Sequence, residues 1–364
     1  MALQLNEIEW AEPILPPAPD PQWEAELKRR GGRPFEVDRR IAPNRWLREA
    51  AFAVTSYRPV ALSERLLRIG SMVTAQENAC RYCYGANRAY MKVLGYSEDF
   101  IQSVERDVQL AETDPRDLAF VEFCRSLARS RPRPSRSARE KLLKLGYSAP
   151  EVAEMAFLIA MGCFYNRVAT LIACPPELKL ERMAEGPLGR LLGFVMPLLS
   201  KLRPKAPQRP PEASAADAES VGGAFGPVLA TLAGLPGSRV MRAALEGAFA
   251  SEVLDAGTKG LMFAVIARTL GCPHCEREAR RLLAGEGMGS AEVDAALATL
   301  QTDRLPAEQS DLLAWSRDTV SYDTPSIQRK TRVLAASLGN AKLLEAIGTA
   351  SLANATVRLA MLLE

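Results

Sequence analysis

Apolar residues recur along most of this chain with the period of an α-helix. Leu62, Leu66, Ile69 and Val73 follow one another at steps of three or four residues, and residues 262–270 repeat the spacing. Such spacing places apolar side chains on one face of a helix. The apolar–polar alternation of a half-buried strand is scarce. The sequence therefore predicts an all-α protein.

One helix start can be placed from local signals. Ser148 and Glu151 have the spacing of a capping box, in which each side chain satisfies a backbone N–H at the start of a helix. Pro150 lies between them, where proline is tolerated in the first helical turn, and an apolar run follows. We expect a helix to begin directly after Ser148.

The helical pattern is interrupted by a segment rich in proline. Residues 203–211 contain four prolines, and a run of Ala, Ser, Asp and Glu follows to Ser220. This composition is typical of a semi-rigid linker. We therefore predict an N-terminal extension at 1–50, a first domain at 51–203, the linker at 204–220 and a second domain at 221–364. We expect the extension to wrap the first domain or a neighbouring chain.

An internal repeat relates the two predicted domains. Two Cys-x-x-Cys motifs, at 80–83 and 272–275, lie 192 residues apart, and each is followed twelve residues later by a glycine. A glutamate and an arginine thirteen residues apart also recur, with an offset of 191 residues: Glu154 with Arg167, and Glu345 with Arg358. Several anchors at nearly one offset predict a duplicated helical domain.

Composition narrows the classes of function. Hydrophobic residues make up 48% of the 364 residues and charged residues 24%, which excludes disorder of the whole chain. The formal net charge of +3 gives no reason to expect a nucleic-acid partner. A single histidine excludes histidine-rich zinc sites, and no glycine-rich phosphate loop is present. We predict no metal and no cofactor.

Nothing in the sequence predicts export or a membrane span. The N-terminus lacks the basic start and apolar run of a signal peptide. The least charged stretch, Leu191–Ser200, is too short for a bilayer, which needs about 20 residues. Seven cysteines, of which four form two Cys-x-x-Cys pairs, suit an intracellular protein with reactive pairs. We predict a cytoplasmic protein.

The two cysteine pairs carry the candidate chemistry. At a helix N-terminus the first sulfur of such a pair meets unpaired amides and the positive end of the helix dipole. This environment favours the thiolate, which attacks disulfides and peroxides. Pro273 is favoured at the first helical position and so places Cys272 at the N-cap. A cationic His274 would favour the thiolate further.

Zinc binding and a purely structural role are the alternatives for the pairs. Four thiolates suit zinc, but the two pairs meet only if the repeat axis passes between them. Cysteine is also often simply buried. Both pairs occupy the same position in the repeat, and this favours redox chemistry over a structural or zinc-binding role. We interpret the other three cysteines as core residues: Cys124, Cys163 and Cys174.

Several motifs carry a resemblance to a known family: Asn78-Ala79-Cys80-Arg81-Tyr82-Cys83, Leu94-Gly95-Tyr96-Ser97, Phe164-Tyr165-Asn166-Arg167-Val168-Ala169, Thr269-Leu270-Gly271-Cys272-Pro273-His274-Cys275, and residues 351–360. They resemble the carboxymuconolactone decarboxylase and alkylhydroperoxidase D superfamily, over roughly 45–180 and 240–364. The resemblance implies two tandem all-helical domains and a homo-oligomer, as a trimer or a dimer. It also implies reduction of a hydroperoxide or small disulfide, with a dithiol or thioredoxin-like partner that resets the enzyme.

The resemblance also implies roles for the cysteines. Cys83 and Cys275 would take the peroxide oxygen, and Cys80 and Cys272 would resolve the sulfenate as a disulfide. The helix-end argument instead favours the first cysteine of each pair as the more acidic thiol. Both assignments stay open at this point.

The chain departs from the family at its proton relay. Active members carry a histidine four residues after the second cysteine, where this chain has Asn87 and Ala279. They carry a glutamate about twelve residues before the first cysteine, where it has Arg68 and Gly260. Loss of a general base costs about 10²- to 10⁴-fold in rate.

Substitutes for the relay are available near both pairs. Glu64 lies one helical turn before Arg68, His274 lies within the second motif, and Glu276 and Glu278 follow it. Both glutamates beside the second pair, and Glu64, also suit a solvated helix face. On the strength of His274 we expect the second pair to be the more competent.

Two other functions remain open. A non-catalytic or redox-sensing assembly protein would explain the missing relay in both repeats. A decarboxylase-type acid–base reaction, known elsewhere in the superfamily, needs placed carboxylates and histidine rather than cysteines. We rank it below the other two because the histidine is missing.

Overall fold

The computed structural model describes residues 4–106, 114–129, 136–187 and 223–360, with a few positions between 189 and 195. Every regular element in these parts of the chain is a helix, which confirms the all-α prediction. The predicted linker at 204–220 and most of the stretch 191–200 lie outside the described residues.

The helices of the first half precede the linker: α1 (Pro21–Arg29), α2 (Glu36–Ile41), α3 (Arg45–Thr55), α4 (Glu64–Glu77), α5 (Arg81–Val93), α6 (Glu98–Arg106), α7 (Pro115–Arg129), α8 (Arg136–Lys144), α9 (Ala149–Leu171) and α10 (Leu178–Glu185). Those of the second half follow it: α11 (Gly226–Ala230), α12 (Pro236–Ala250), α13 (Ala256–Thr269), α14 (Pro273–Gly285), α15 (Ser290–Thr299), α16 (Leu312–Asp318) and α17 (Thr324–Ala360). Short 3₁₀ turns occur at Leu5–Glu7 and Ala307–Gln309.

Helix lengths follow the predicted repeat around the cysteine motifs. α4 and α13 each contain 14 residues, α5 and α14 each contain 13, and both pairs start 192 residues apart. α9 begins after Ser148 with the predicted capping box. Its counterpart is the second part of α17, after a break at Gly339 where φ is 70°. These matched elements are what a duplication predicts.

The two halves share one hydrophobic core. α9 packs along α17, and a single cluster of buried side chains runs through both halves, from Phe157 on α9 to Leu352 on α17. α3 crosses the predicted boundary at residues 50/51 and packs against α12 of the second half. We therefore expect the described residues to unfold as one cooperative unit.

Two buried arginines, equivalent in the repeat, each reach into the other half. Arg167 donates from Nε to the Thr319 carbonyl at 2.9 Å and from a terminal nitrogen to the Val320 carbonyl at 3.0 Å. Arg358 donates to the Ala128 carbonyl at 3.3 Å and to the same Val320 carbonyl at 3.2 Å. Burial, and then the charge of Arg167, lower the pKa of Arg358 to about 9. Each half thus supplies an arginine that donates hydrogen bonds to carbonyls of the other half, and these contacts link the two halves.

The N-terminal segment docks on the second half through the repeated glutamate. Glu345 is fully buried, and its carboxylate accepts hydrogen bonds from Asn44 at 2.7 Å and from the Trp46 indole at 2.8 Å. The same carboxylate forms an ion pair with the buried Lys259 at 2.7 Å. Glu154, its counterpart in the first half, instead accepts four hydrogen bonds from residues 57–62.

One described helix, α9, is long and apolar enough to cross a membrane by length and composition. However, 78% of its most apolar stretch is buried inside the protein. Residues on several sides of the helix belong to the hydrophobic core, as expected for a central helix of a helical fold.

Candidate functional site

The first cysteine of each pair caps a helix. Cys80 is the N-cap of α5, and its sulfur accepts a hydrogen bond from the Cys83 amide at 3.2 Å. Cys272 is the N-cap of α14 in the same way, with the Cys275 amide at 3.5 Å and Pro273 in the first turn. The N-cap predicted for Cys272 is therefore confirmed. The chain enters both caps through a residue with positive φ, because the preceding helix ends there.

The two thiols of the first pair differ in acidity. Burial alone would raise the pKa of Cys80. However, the thiol and the backbone amide of Cys83 both donate hydrogen bonds to the Cys80 sulfur. With smaller contributions from other groups, these hydrogen bonds outweigh burial, and the pKa of Cys80 is lowered. The pKa of Cys83 is raised, first by burial and then by its hydrogen bond to Cys80. Cys80 is therefore the thiol that ionises first, as the helix-end argument predicts, whereas the family resemblance gives the attack to Cys83.

A third cysteine belongs to the same buried cluster. Cys174 lies close enough to both Cys80 and Cys83 to interact with them electrostatically, and burial raises its pKa. It is buried, as the core assignment predicted, but it lies beside the pair. The sequence offered a signal: Pro175 and Pro176 directly follow Cys174, and prolines at this spacing are typical of the region just after a helix, where Cys174 lies.

Two tyrosines and two carboxylates interact with these thiols or with one another. Tyr82 and Tyr165 stand within motifs quoted above, but no role was predicted for any of the four. Tyr82 is buried between the cysteines of the motif, and its hydroxyl donates to Glu177 at 3.4 Å. Tyr165, on α9, interacts electrostatically with Cys83 and is hydrogen-bonded to Tyr82. Asp38, on α2, is 8% exposed and interacts with both tyrosines. Burial is the first cause that raises the pKa of each tyrosine.

Glu64, a predicted substitute for the relay, and Asn87, which stands at the position of the missing histidine, both bind groups other than the thiols. Glu64 is half-exposed, and its carboxylate accepts hydrogen bonds from Arg68 at 2.9 and 2.6 Å. Asn87 donates its side-chain amide to the Cys83 backbone carbonyl at 2.9 Å. Neither contact moves a proton from a thiol.

The second pair has different surroundings. His274 lies inside the motif, and its Nε2 is buried without a hydrogen-bond partner within the described residues. Glu276 pairs with Arg268 at 2.7 Å and Arg280 at 2.9 Å; burial opposes the effect, but these arginines lower its pKa. Glu278 pairs with Arg281 at 3.3 Å, so both glutamates lie on a charged helix face. Greater competence of this pair stays a prediction.

No group of three or more His, Cys, Asp or Glu side chains among the described residues is arranged to hold a metal ion.

A groove of about 760 Å³ lies between α3 and α12, away from both cysteine pairs. Its wall is mostly alanine, valine and glycine, and Asn44 and Trp46 line its floor above Glu345.

Comparison of the chain with models of protein families, with curated proteins and with solved structures finds no significant match.

Proposed function

We propose that this protein is a thiol-dependent oxidoreductase that reduces a hydroperoxide or a small disulfide at Cys80 and Cys83. The observation that carries the proposal is the acidity difference within this pair: the N-cap thiol has a lowered pKa and its neighbour a raised one. An attacking thiolate beside a protonated second thiol is the starting state of such chemistry. The resemblance to alkylhydroperoxidase D-like proteins supports the same reaction class.

The reaction balances with the two thiols alone. The Cys80 thiolate attacks the terminal oxygen of the hydroperoxide, the O–O bond breaks, and the alkoxide takes a proton to leave as an alcohol. Cys83 then loses its proton and attacks the Cys80 sulfenate, so that the S–S bond forms and water leaves. A small disulfide reacts through a mixed disulfide instead. A dithiol or thioredoxin-like partner in a reducing, cytoplasmic compartment returns both thiols.

Burial of the thiols sets a condition on this reaction. Cys80 is 1% exposed and Cys83 is 4% exposed. α10 packs over α5 through Gly85, and the Arg81 guanidinium binds both oxygens of Glu181 at 2.8 and 2.9 Å. A substrate therefore reaches the thiols only when the packing around them opens locally.

The same burial favours the second candidate, an assembly protein whose cysteine pairs are structural. In that case the thiols would persist during oxidant exposure, and the protein would keep its fold and association without turnover. Cysteine is among the residue types most often found fully buried.

Disulfide mapping by mass spectrometry separates the two functions. The reduced protein is treated briefly with about one equivalent per site of hydrogen peroxide or cumene hydroperoxide and then alkylated. We expect rapid formation of a Cys80–Cys83 bridge that a dithiol reverses and that Cys80→Ser abolishes. Cys124→Ser, at a buried cysteine outside the pairs, is the matched control and should leave the bridge unchanged. Oxidation of the pair no faster than that of Cys124 would favour the assembly protein.

A further inference from the structure

The turn that leads into the first cysteine pair is strained. α4 ends at Glu77, and the chain passes through Asn78 and Ala79 before Cys80 caps α5. Ala79 has a φ of 46°, in the left-handed region that a residue with a Cβ rarely adopts. Such strain persists only where the surrounding structure holds the backbone in place.

Two hydroxyls from the second half hold this turn. The Tyr322 hydroxyl donates to the Asn78 carbonyl at 3.3 Å, and the Thr324 hydroxyl donates to the Ala79 carbonyl at 3.2 Å. Carbonyls at the end of a helix need donors from outside the helix. Here the donors stand 244 and 245 positions further along the chain. The second half therefore binds the backbone directly before Cys80.

The first half fixes the side chain of the same turn. Asn78 donates its side-chain amide to the Thr74 carbonyl at 2.9 Å, and its side-chain oxygen accepts from Arg167 at 3.0 Å. The Arg167 guanidinium also lies over the Tyr322 ring, 5.5 Å from the ring centroid. Arg167 thus links the two sets of contacts, and the turn is held from both halves.

The geometry of this turn decides where the Cys80 sulfur lies. Cys80 has extended backbone at the N-cap, with φ −86° and ψ 95°, and its sulfur lies 3.2 Å from the Cys83 amide nitrogen. Against the effect of burial, that hydrogen bond is among the contacts that lower the pKa of Cys80. If the turn relaxed to the conformations that alanine prefers, the sulfur would move off the amide and the thiolate would lose this donor.

The second pair offers an internal comparison. Gly271 stands at the position equivalent to Ala79 with a φ of 66°, and glycine adopts this conformation without a steric cost. Cys272 caps α14 with the same kind of hydrogen bond as Cys80. One N-cap is thus reached through a glycine, and the other through an alanine in a turn that the second half holds.

We propose that Tyr322 and Thr324 are positioning residues for Cys80, which hold the strained turn and so keep the Cys80 sulfur at the start of α5. This role rests on the proposed function, in which the Cys80 thiolate attacks the hydroperoxide. The second half then serves the reaction at the first pair, besides carrying a cysteine pair of its own.

The acidity of Cys80 reports its position. The titratable or charged groups that interact with Cys80 are Cys83 and Arg81 on α5, Cys174 after α9, and Tyr322. Burial raises the pKa of Tyr322 to about 12, so Tyr322→Phe removes a hydroxyl but no charge in the range in which thiols titrate. The reduced full-length protein, labelled with ¹³C at the cysteine Cβ, is titrated by NMR. The Cys80 signal is assigned by its absence in Cys80→Ser.

The two hydroxyl variants should make Cys80 less acidic. In Tyr322→Phe and in Thr324→Val we expect the Cys80 midpoint to rise by about 0.7 pH units, an about fivefold smaller thiolate fraction below the midpoint and the size of one net hydrogen bond. Cys80 sulfenate formation from hydrogen peroxide, trapped with dimedone at neutral pH, should slow by a similar factor. Trypsin cleaves after Arg81 and so places Cys80 and Cys83 on separate peptides for mass spectrometry.

Rescue distinguishes positioning from general damage to the fold. Ala79→Gly, added to either hydroxyl variant, should restore the wild-type midpoint, because glycine needs no support at this φ. Thr324→Ser keeps a hydroxyl and should titrate like the wild type. Tyr147→Phe is the matched control, since it removes a tyrosine hydroxyl from a carbonyl elsewhere, that of Arg116, and should leave the midpoint unchanged.

Each outcome decides one question. An unchanged midpoint in both hydroxyl variants, or a rise that Ala79→Gly does not reverse, would overturn the positioning role and leave the proposed function standing. If the wild type forms neither sulfenate nor bridge, the proposed function fails, and the midpoints still decide whether the two residues position Cys80. Should one hydroxyl variant not fold, the other carries the test, since each removes a contact to a different carbonyl.

Discussion

Asp38→Asn should stabilise the protein at neutral pH, because the native structure holds a carboxylate where it is poorly solvated. Burial raises the pKa of Asp38 from the usual 3.8 to about 6. One pKa unit corresponds to about 1.4 kcal/mol. The ionised form of Asp38 therefore lowers the free energy of unfolding by about 3 kcal/mol above pH 6. Asparagine keeps an oxygen that can accept from the Phe35 amide and carries no charge.

The sign of the pH dependence follows from linkage. The folded-state pKa of Asp38 lies above the unfolded value, so its favourable contribution is complete below about pH 4 and is lost as the pH rises through about 6. The advantage of Asp38→Asn over the wild type should therefore be small near pH 4, grow between pH 4 and 6, and stay constant above.

Urea denaturation followed by circular dichroism at several pH values measures this advantage as a shift of the unfolding free energy. Asp303→Asn, at an exposed aspartate, should show no such growth with pH. An advantage of Asp38→Asn that stays flat or shrinks between pH 4 and 7 would refute the assignment of Asp38 as a buried carboxylate with a raised pKa.

Two further pairs of variants test the backbone strain at the turns before the motifs and the buried ion pair. Ala79 has a φ of 46°, so Ala79→Gly should stabilise the protein by about 1 kcal/mol, whereas Gly271→Ala at the equivalent turn, where φ is 66°, should destabilise it by a similar amount in the same denaturation assay. Glu345→Gln leaves the Lys259 charge buried without its partner and should cost about 3–5 kcal/mol; adding Lys259→Met should recover much of this loss, and no recovery would contradict the ion-pair explanation.

Local interactions explain which parts of the fold could be predicted from the sequence. The helix start after Ser148 and the N-cap at Cys272 depend on residues within four positions, and both are present as predicted. The repeat was visible because duplicated elements keep their spacing. The hydrogen-bond partners of Arg167 and Arg358 could not be predicted from the sequence, because each arginine binds carbonyls in the other half of the chain.

The buried cluster around the first pair could not be predicted for the same reason. Asp38 and Cys83 are separated by 45 positions and Cys83 and Tyr165 by 82, so no periodic pattern connects them. Spacing along the two helices that flank the turn at Ala79 points to Glu64 and Asn87, whose side chains bind Arg68 and a backbone carbonyl. A cluster built from distant elements depends on tertiary packing.

The two cysteine pairs differ in the backbone strain and in the buried charge of their surroundings. The first pair is entered through a strained alanine, Ala79, and is accompanied by a carboxylate, Asp38, that burial disfavours in its charged form. The second pair is entered through Gly271, which adopts the same backbone without strain, and Glu276 beside it is neutralised by arginines. Strain and buried charge reduce stability and persist where they serve a site. This contrast supports the proposal that places the reaction at Cys80 and Cys83.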